Sequence, residues 1–199
     1  MKEQNVSGCF SKGKVVFFAT GNFHKFDEAR HVLSELKIAT AMLRVEPIEI
    51  QDDNIENIAK ASATDASNKT GLPIIVEDAG LFILELNGFP GPYSSYVYQT
   101  LGTKGILKLM ENIEKRDASF HSVVAYCSPK ENPRTFHGEV KGKISFQERG
   151  SHGFGFDPIF EPSTNGHKTF AEMNVQEKNR FSHRAQALRE FAKWYTSMR

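Results

Sequence analysis

Apolar residues occur along this chain in short solid runs and in periodic stripes, and the two kinds alternate. Val15-Val16-Phe17-Phe18-Ala19 is a β-branched and aromatic run bounded by Lys14 and Thr20-Gly21, the pattern of a buried strand. Phe26, Ala29, Leu33 and Leu36 then recur at helical spacing. Asn22 is a good N-cap, and Asp27 and Glu28 follow within two turns, so a helix is predicted directly after the strand. Ala41 to Ile50 alternates weakly and predicts a second strand, placed at a sheet edge by Pro47. Ile55, Ile58, Ala59, Ser62 and Ala66 mark one face of a second helix, which Gly71 should end.

Leu72 to Val76 predicts a third strand and Gly80 to Leu86 a further one, closing at the turn signal Asn87-Gly88. Phe89 to Tyr93 reads as a rigid Pro/Gly loop and Gly105 to Asn112 as a helix. Ser119 to Ser128 and Thr135 to Phe146 are long strand candidates, split by the turn Pro129 to Pro133. Gly150 to Pro158 is a glycine-rich loop with aromatics, and Phe181, Ala185, Leu188, Ala192 and Tyr195 form the stripe of a terminal helix. This order predicts an α/β fold: a single elongated domain of two lobes around a mixed β-sheet with a central cleft, over residues 14–199, after a flexible tail over 1–13.

The 199 residues suffice for one domain with a real core. A formal net charge of +1 provides no overall field for a nucleic acid, whereas a small phosphorylated ligand needs only a local positive cluster. No apolar run approaches the ~20 residues of a membrane span. The polar segment Met1 to Gly13 lacks a hydrophobic signal core, so a cytoplasmic protein is expected, with no membrane and no nucleic-acid partner. Cys9 sits in that segment and Cys127 in an apolar run, so neither a disulfide nor a zinc site is expected.

Five segments carry candidate chemistry. Thr20-Gly21-Asn22-Phe23-His24-Lys25 lies where a strand hands over to a helix, so backbone amides and the helix dipole favour an anion there. Lys25 adds a movable positive charge. Glu77-Asp78-Ala79-Gly80 is read as following directly on a buried strand, at the edge where α/β proteins bind ligands. Glu49, with Asp52 and Asp53 nearby, offers oxygen ligands from a separate segment, as Mg²⁺ requires. In Gly153-Phe154-Gly155-Phe156-Asp157-Pro158 the glycines leave the Phe154 ring open to a flat base, with Asp157 as an acceptor beside it. Lys178, Ser182, His183 and Arg184 set basic residues in the first turn of the last helix, against its dipole, with Ser182 as the cap.

Together these segments resemble the inosine/xanthosine triphosphate pyrophosphatase family, the Ham1-like enzymes. The resemblance runs from about Lys14 to the C-terminus and is closest to archaeal members over Tyr93 to Met110. It is carried by Thr20-Gly21-Asn22 with Lys25, Glu49-Ile50-Gln51, Val76-Glu77-Asp78, and Phe89-Pro90-Gly91-Pro92-Tyr93-Ser94. Phe154-Gly155-Phe156-Asp157-Pro158, Phe170-Ala171-Glu172-Met173, Glu177-Lys178-Asn179 and Ser182-His183-Arg184 complete it. Phe156 stands where many members have Trp, Ala79 where many have Ser or Thr, and Asp52 where many have Gly.

The resemblance implies Mg²⁺-dependent hydrolysis of ITP, dITP and XTP to the monophosphate and pyrophosphate, by a cytoplasmic homodimer. It implies that Thr20, Gly21, Asn22, Phe23, His24 and Lys25 hold the triphosphate, and that Glu49 and Asp78 bind the metal. Asp78 is then also the base, with Glu77 and Lys25 assisting. Phe154 stacks on the purine, while Ala79, Ser94, Gly155, Phe156, Asp157, Lys178, His183 and Arg184 line the substrate pocket. Arg184 can only donate hydrogen bonds, which suits a 6-oxo purine and disfavours adenine. The rival readings are a Maf-like nucleotide pyrophosphatase, which would prefer other bases, and a nucleotide sensor that binds without turnover.

Overall fold

The structure, a computed structural model, describes residues 14–164 and 166–197. The expected tail over 1–13, and Cys9 with it, lies outside the described residues. In chain order the elements are β1 (Lys14–Ala19), α1 (Phe23–Glu35), β2 (Ile38–Leu43), α2 (Ile55–Thr70), β3 (Ile74–Ile83), β4 (Pro90–Gly91), α3 (Ser94–Thr100) and α4 (Gly102–Leu109). They continue with β5 (Asp117–Cys127), β6 (Arg134–Ile144), β7 (Phe160–Pro162), α5 (Val175–Asn179) and α6 (His183–Ser197).

The strands form one mixed sheet in the order β2-β1-β3-β5-β6-β7, with β4 paired to β3. β1 runs parallel to β2 along its length and to β3 only at Phe17↔Ile74 and Phe18↔Ile75. From β3 onward the pairing is antiparallel, from Ile74↔Cys127 to Ile83↔Ala118 and on through β6 and β7. The expected α/β class and the change from parallel to antiparallel are both present. β1 sits between β2 and β3, so the chain reverses its direction of travel across the sheet at the β1/β3 boundary. In an open α/β sheet that switch point is where ligands bind.

Three apolar clusters hold the layers. α1 and α6 pack on one face of the parallel half through Val32, Leu33, Leu188 and Phe191 against Val16, Phe18 and Ile75. α2 covers the opposite face through Ile55, Ala59, Ala63 and Ala66 against Ile74, Val76 and Val123. The second lobe has its own core, built from Leu81, Ile83, Ile106, Met110, Phe120, Ile144, Phe160 and Phe170. α6 lies close to the sheet because β6 offers Gly138: a Cβ there would meet His183 O at 2.0 Å and Ala187 N at 2.7 Å.

Several boundaries differ from the sequence reading. β2 occupies 38–43, at the expected edge, and the chain over 44–50 is irregular. Pro47 lies beyond the strand rather than in it. The two strands expected over 72–76 and 80–86 are one continuous β3, so Glu77 and Asp78 stand in mid-strand, not at a strand end. Two adjacent acids look like a break in sequence, but pairing with β5 on one side carries the strand through them. The helix expected over 105–112 is α4, shifted to 102–109, and it is preceded by α3, whose few apolar residues left no stripe to read. Phe181 precedes α6 rather than opening it. Asn87-Gly88 does turn the chain, both residues with positive φ, and Gly71 does cap α2 in the left-handed conformation.

Candidate functional site

The site begins where β1 stops. Beyond Ala19 the chain leaves the sheet in the turn Thr20-Gly21-Asn22, while β3 continues past it. Thr20 Oγ1 accepts the Asn22 amide at 3.1 Å, and Asn22 Oδ1 caps α1 by accepting the Lys25 amide at 3.1 Å. The first intrahelical bond runs from Phe26 N to Asn22 O, so the amides of Phe23 and His24 face out of the helix end. No atom lies within 4 Å of where a Gly21 Cβ would stand, so room is left over this turn. Lys25 Nζ reaches the edge of β3 that β1 has vacated and donates to Glu77 O at 3.1 Å.

The strand period of two separates the adjacent acids. Glu77 shares a face with Ile75, under α1 and α6, and Asp78 shares one with Ile74 and Val76, toward α2. Glu77 is fully enclosed. Ser122 Oγ donates to its Oε1 at 2.6 Å, Arg184 Nε lies 3.1 Å from the same oxygen, and Lys25 Nζ lies 3.1 Å from Oε2. Burial alone would raise its pKa, but Arg184 and then Lys25 hold the carboxyl well below the usual range. Asp78 is treated oppositely. Its hydrogen bond comes from the neighbouring Ala79 amide, 3.0 Å away. Burial pushes its pKa up to about 6, with Lys25 opposing and the charges of Glu77 and Glu49 adding. Glu49 itself is exposed, on the irregular segment after β2.

Behind Glu77 runs a buried chain of alternating charge. Arg184 also pairs with Glu28 Oε2, and Glu28 Oε1 accepts from Lys178 Nζ at 2.7 Å. Lys178 Nζ donates in turn to Asp157 Oδ2 at 2.7 Å. The order Lys25, Glu77, Arg184, Glu28, Lys178, Asp157 thus joins α1, β3, α6, α5 and the 150–158 loop. Burial raises the Glu28 pKa, but Lys178 and Arg184 outweigh it and bring the carboxyl down to about 2. Asp157 and Glu28 keep the Lys178 ammonium charged against its burial. His183 lies flat on Phe120, ring centroids 4.6 Å apart and 8° between planes. Among the described residues its Nδ1 has no hydrogen-bond partner, and burial, then Arg184 and Lys178, hold its pKa well below the ordinary value.

Phe154 is half-buried above this chain. Its amide donates to Asp157 Oδ2 at 2.9 Å, which ties the loop down. The loop requires glycine at 153: φ is +74°, and a Cβ would fall 2.1 Å from Asp157 Oδ2. Lys178 Nζ and Arg184 Cζ stand 5.2 Å and 5.3 Å from the Phe154 ring centroid. His24 stacks on the same ring, centroids 5.3 Å apart and planes 16° apart.

The structure therefore brings together Thr20 to Lys25, Glu77, Asp78, Phe154, Asp157, Lys178, His183 and Arg184. It gives other expected residues different company. Ser94 is buried, donating to Gly91 O at 2.7 Å and accepting from Leu81 N at 2.8 Å. Phe156 points into the second core, edge-on to Tyr98. Phe23 brings only its outward amide to the site, its ring being exposed at the start of α1. Asp52 accepts from Asn54 N and Asn57 Nδ2 and so serves the start of α2. Three members of the network were not among the expected site residues: Glu28, Ser122 and Asn179, whose Nδ2 donates to Glu28 O at 3.1 Å. A signal for Glu28 existed, since it interrupts the buried stripe of Ala29, Val32 and Leu33 with a charge.

Comparison with known proteins matches residues 16–194 to the model of the Ham1 family. The dITP/XTP pyrophosphatase of Methanopyrus kandleri is 50% identical over 180 residues, covering 90% of this chain and 95% of the relative. That of Methanothermobacter marburgensis is 49% identical over 181 residues, covering 91% and 96%. Among solved structures, a HAM1 protein from Coxiella burnetii superposes with a TM-score of 0.81 at 33% identity, covering 92% of this chain and 98% of that one. The Staphylococcus aureus Ham1 protein shares the fold, with a TM-score of 0.78 at 24% identity, covering 94% and 100%.

Proposed function

The chain belongs to the Ham1 family, and from that premise we propose that it hydrolyses dITP, ITP and XTP to the nucleoside monophosphate and pyrophosphate with Mg²⁺, cleansing the nucleotide pool. The observation that carries the reading is the divergent fate of two adjacent acids. Glu77 is locked in ion pairs, while Asp78 forms none among the described residues and its charged form is disfavoured by burial and by Glu77 and Glu49 more than Lys25 favours it.

The donor set of Asp78 and Glu49 fits Mg²⁺. Both are hard oxygen donors from separate segments, the charge of Glu49 adds to the cost of ionising Asp78, and a cation would relieve it. Mg²⁺ would complete its shell with phosphate oxygens and water. When bound, the ion would neutralise phosphate charge and stabilise the departing pyrophosphate.

The chain's own residues do the rest. The outward amides of Phe23 and His24 and the α1 dipole hold phosphate oxygens. Lys25, anchored on Glu77 and on the β3 backbone, supplies a fixed positive charge that gains strength as charge moves onto the leaving group. Asp78, on β3 beside the Thr20-Gly21-Asn22 turn, takes the proton of the water that attacks the α-phosphorus. Phe154 offers its ring to the base. Glu77 and Glu28 engage Arg184, and Glu28 and Asp157 engage Lys178, so the donors that remain are few and set in place. Such donors complement the oxo group of hypoxanthine or xanthine and oppose the amino group of adenine. The proposal extends to a cytoplasmic homodimer, as the family resemblance implies.

A pyrophosphate-release assay across ITP, dITP, XTP, ATP and GTP tests the reading. The oxo-purine substrates should exceed ATP by about 10² or more in kcat/KM, and EDTA should abolish turnover. Asp78→Asn should fold normally by circular dichroism yet lose about 10²- to 10⁴-fold in kcat. Equal use of ATP and ITP, activity in EDTA, or near-normal kcat in the variant would each remove the corresponding part of the proposal.

A further inference from the structure

Phe154 has two kinds of neighbour. Lys178 and Arg184 are buried and held in ion pairs, so they cannot retreat from the ring. His24 is exposed, sits in the first turn of α1, and stacks on the ring at 5.3 Å with 16° between planes. It has no hydrogen bond or ion pair among the described residues that would hold it there. A flat base that stacks on Phe154 must therefore come to the ring on the side where His24 now lies, because that is the neighbour able to yield.

We propose that His24 is a base-contacting specificity residue: in the free protein its imidazole covers Phe154, and when substrate binds it swings outward and closes on the outer face of the purine. This rests on the nucleotide pyrophosphatase reading above. It reassigns His24, whose place in the Thr20–Lys25 turn suggests a phosphate contact, to the base. The adjacent side chains then divide the work along a helical step of 100°. Lys25 points inward to Glu77 and the phosphates, and His24 points toward the 150–158 loop and the base. The same turn of α1 would thus sense both ends of the nucleotide, so that polyphosphate without the right base leaves the ring stack closed.

The test separates the two ends of the ligand. Inhibition of pyrophosphate release by inosine monophosphate and by inorganic tripolyphosphate is measured for the unmodified protein, His24→Ala and His24→Phe. Loss of one stacking face should weaken inhibition by inosine monophosphate about ten-fold in His24→Ala. His24→Phe should restore it, and inhibition by tripolyphosphate should be unchanged in both. Unchanged or tighter inosine monophosphate inhibition in His24→Ala would overturn the proposal, as would selective loss of tripolyphosphate inhibition. Absence of ITP turnover by the unmodified protein would instead defeat the underlying functional reading, and is seen before any variant is made.

Discussion

Glu28 shows how much one side chain can carry. It is an acid inside the apolar stripe of α1, and alone it would be costly to bury. It is kept ionised because Lys178 and Arg184 converge on its two oxygens. Removing it leaves two buried cations short of a partner, the circumstance in which breaking a buried pair costs most. Glu28→Ala should lower the unfolding free energy by about 3–5 kcal/mol in urea titrations. Glu28→Gln should lose less, since it keeps the volume and an acceptor. A loss under about 1 kcal/mol in the alanine variant would mean the cations find other partners, against the network described here. The contrast between Glu77 and Asp78 has the same origin. Adjacent in sequence and alike in chemistry, they differ by 180° in direction, and one is paired with two cations where the other sets the pull of Lys25 against burial and the charges of Glu77 and Glu49.

At the scale of elements, function follows from where strands stop. β1 ends at Ala19 while β3 runs on to Ile83, and the vacated edge of β3 receives Lys25. The position of α6 is equally decisive, because its first turn delivers His183 and Arg184. Gly138 on β6 sets that position by letting the helix backbone approach. In Gly138→Ala the added methyl has backbone rather than flexible side chain to displace. The expected result is a loss of about 1–3 kcal/mol in stability. A drop in kcat/KM for ITP should accompany it as Arg184 shifts from Glu77. Melting curves and the pyrophosphate assay check the pair of effects, and a variant with normal stability would show that α6 has slack.

For the whole molecule, the buried charges make stability depend on pH in opposing ways. His183 is held neutral in the fold, whereas in the unfolded chain it takes up a proton below about pH 6.5. Its contribution is therefore present above that pH and is lost as pH falls. Asp78, raised to about 6, binds its proton earlier in the fold than unfolded, and so favours the fold as pH falls from 6 toward its ordinary 3.8. Between pH 6.5 and 6 the histidine dominates, because Asp78 is at most half protonated in the fold over that range. Comparing unfolding free energies from pH 7.5 to 5, His183→Gln should remove up to about 1.4 kcal/mol per pH unit of the acid-side decline. Asp78→Asn should steepen that decline below pH 6. Parallel curves for the unmodified protein and His183→Gln would mean that the imidazole titrates alike in both states.

The pattern of side chains alone determined the α/β class, the first strand and helix with its Asn22 cap, the Gly71 stop and the two long strands, because periodicity and capping are local matters. It also marked the segments that meet at the site, since Thr20-Gly21-Asn22, Glu77-Asp78 and the Gly153–Pro158 loop each carry a local oddity. Only the tertiary structure decided that Glu77-Asp78 is mid-strand, that the two acids face opposite layers, and that Glu28 binds the cations together. Strand continuity came from pairing with β5, where Glu77 stands opposite Val124 and Asp78 opposite Val123. The ion chain joins residues as far apart as Glu28 and Arg184, 156 positions distant. Contacts of that reach leave no period in a sequence, because what selects them is the geometry of burial and the cost of leaving a charge there alone.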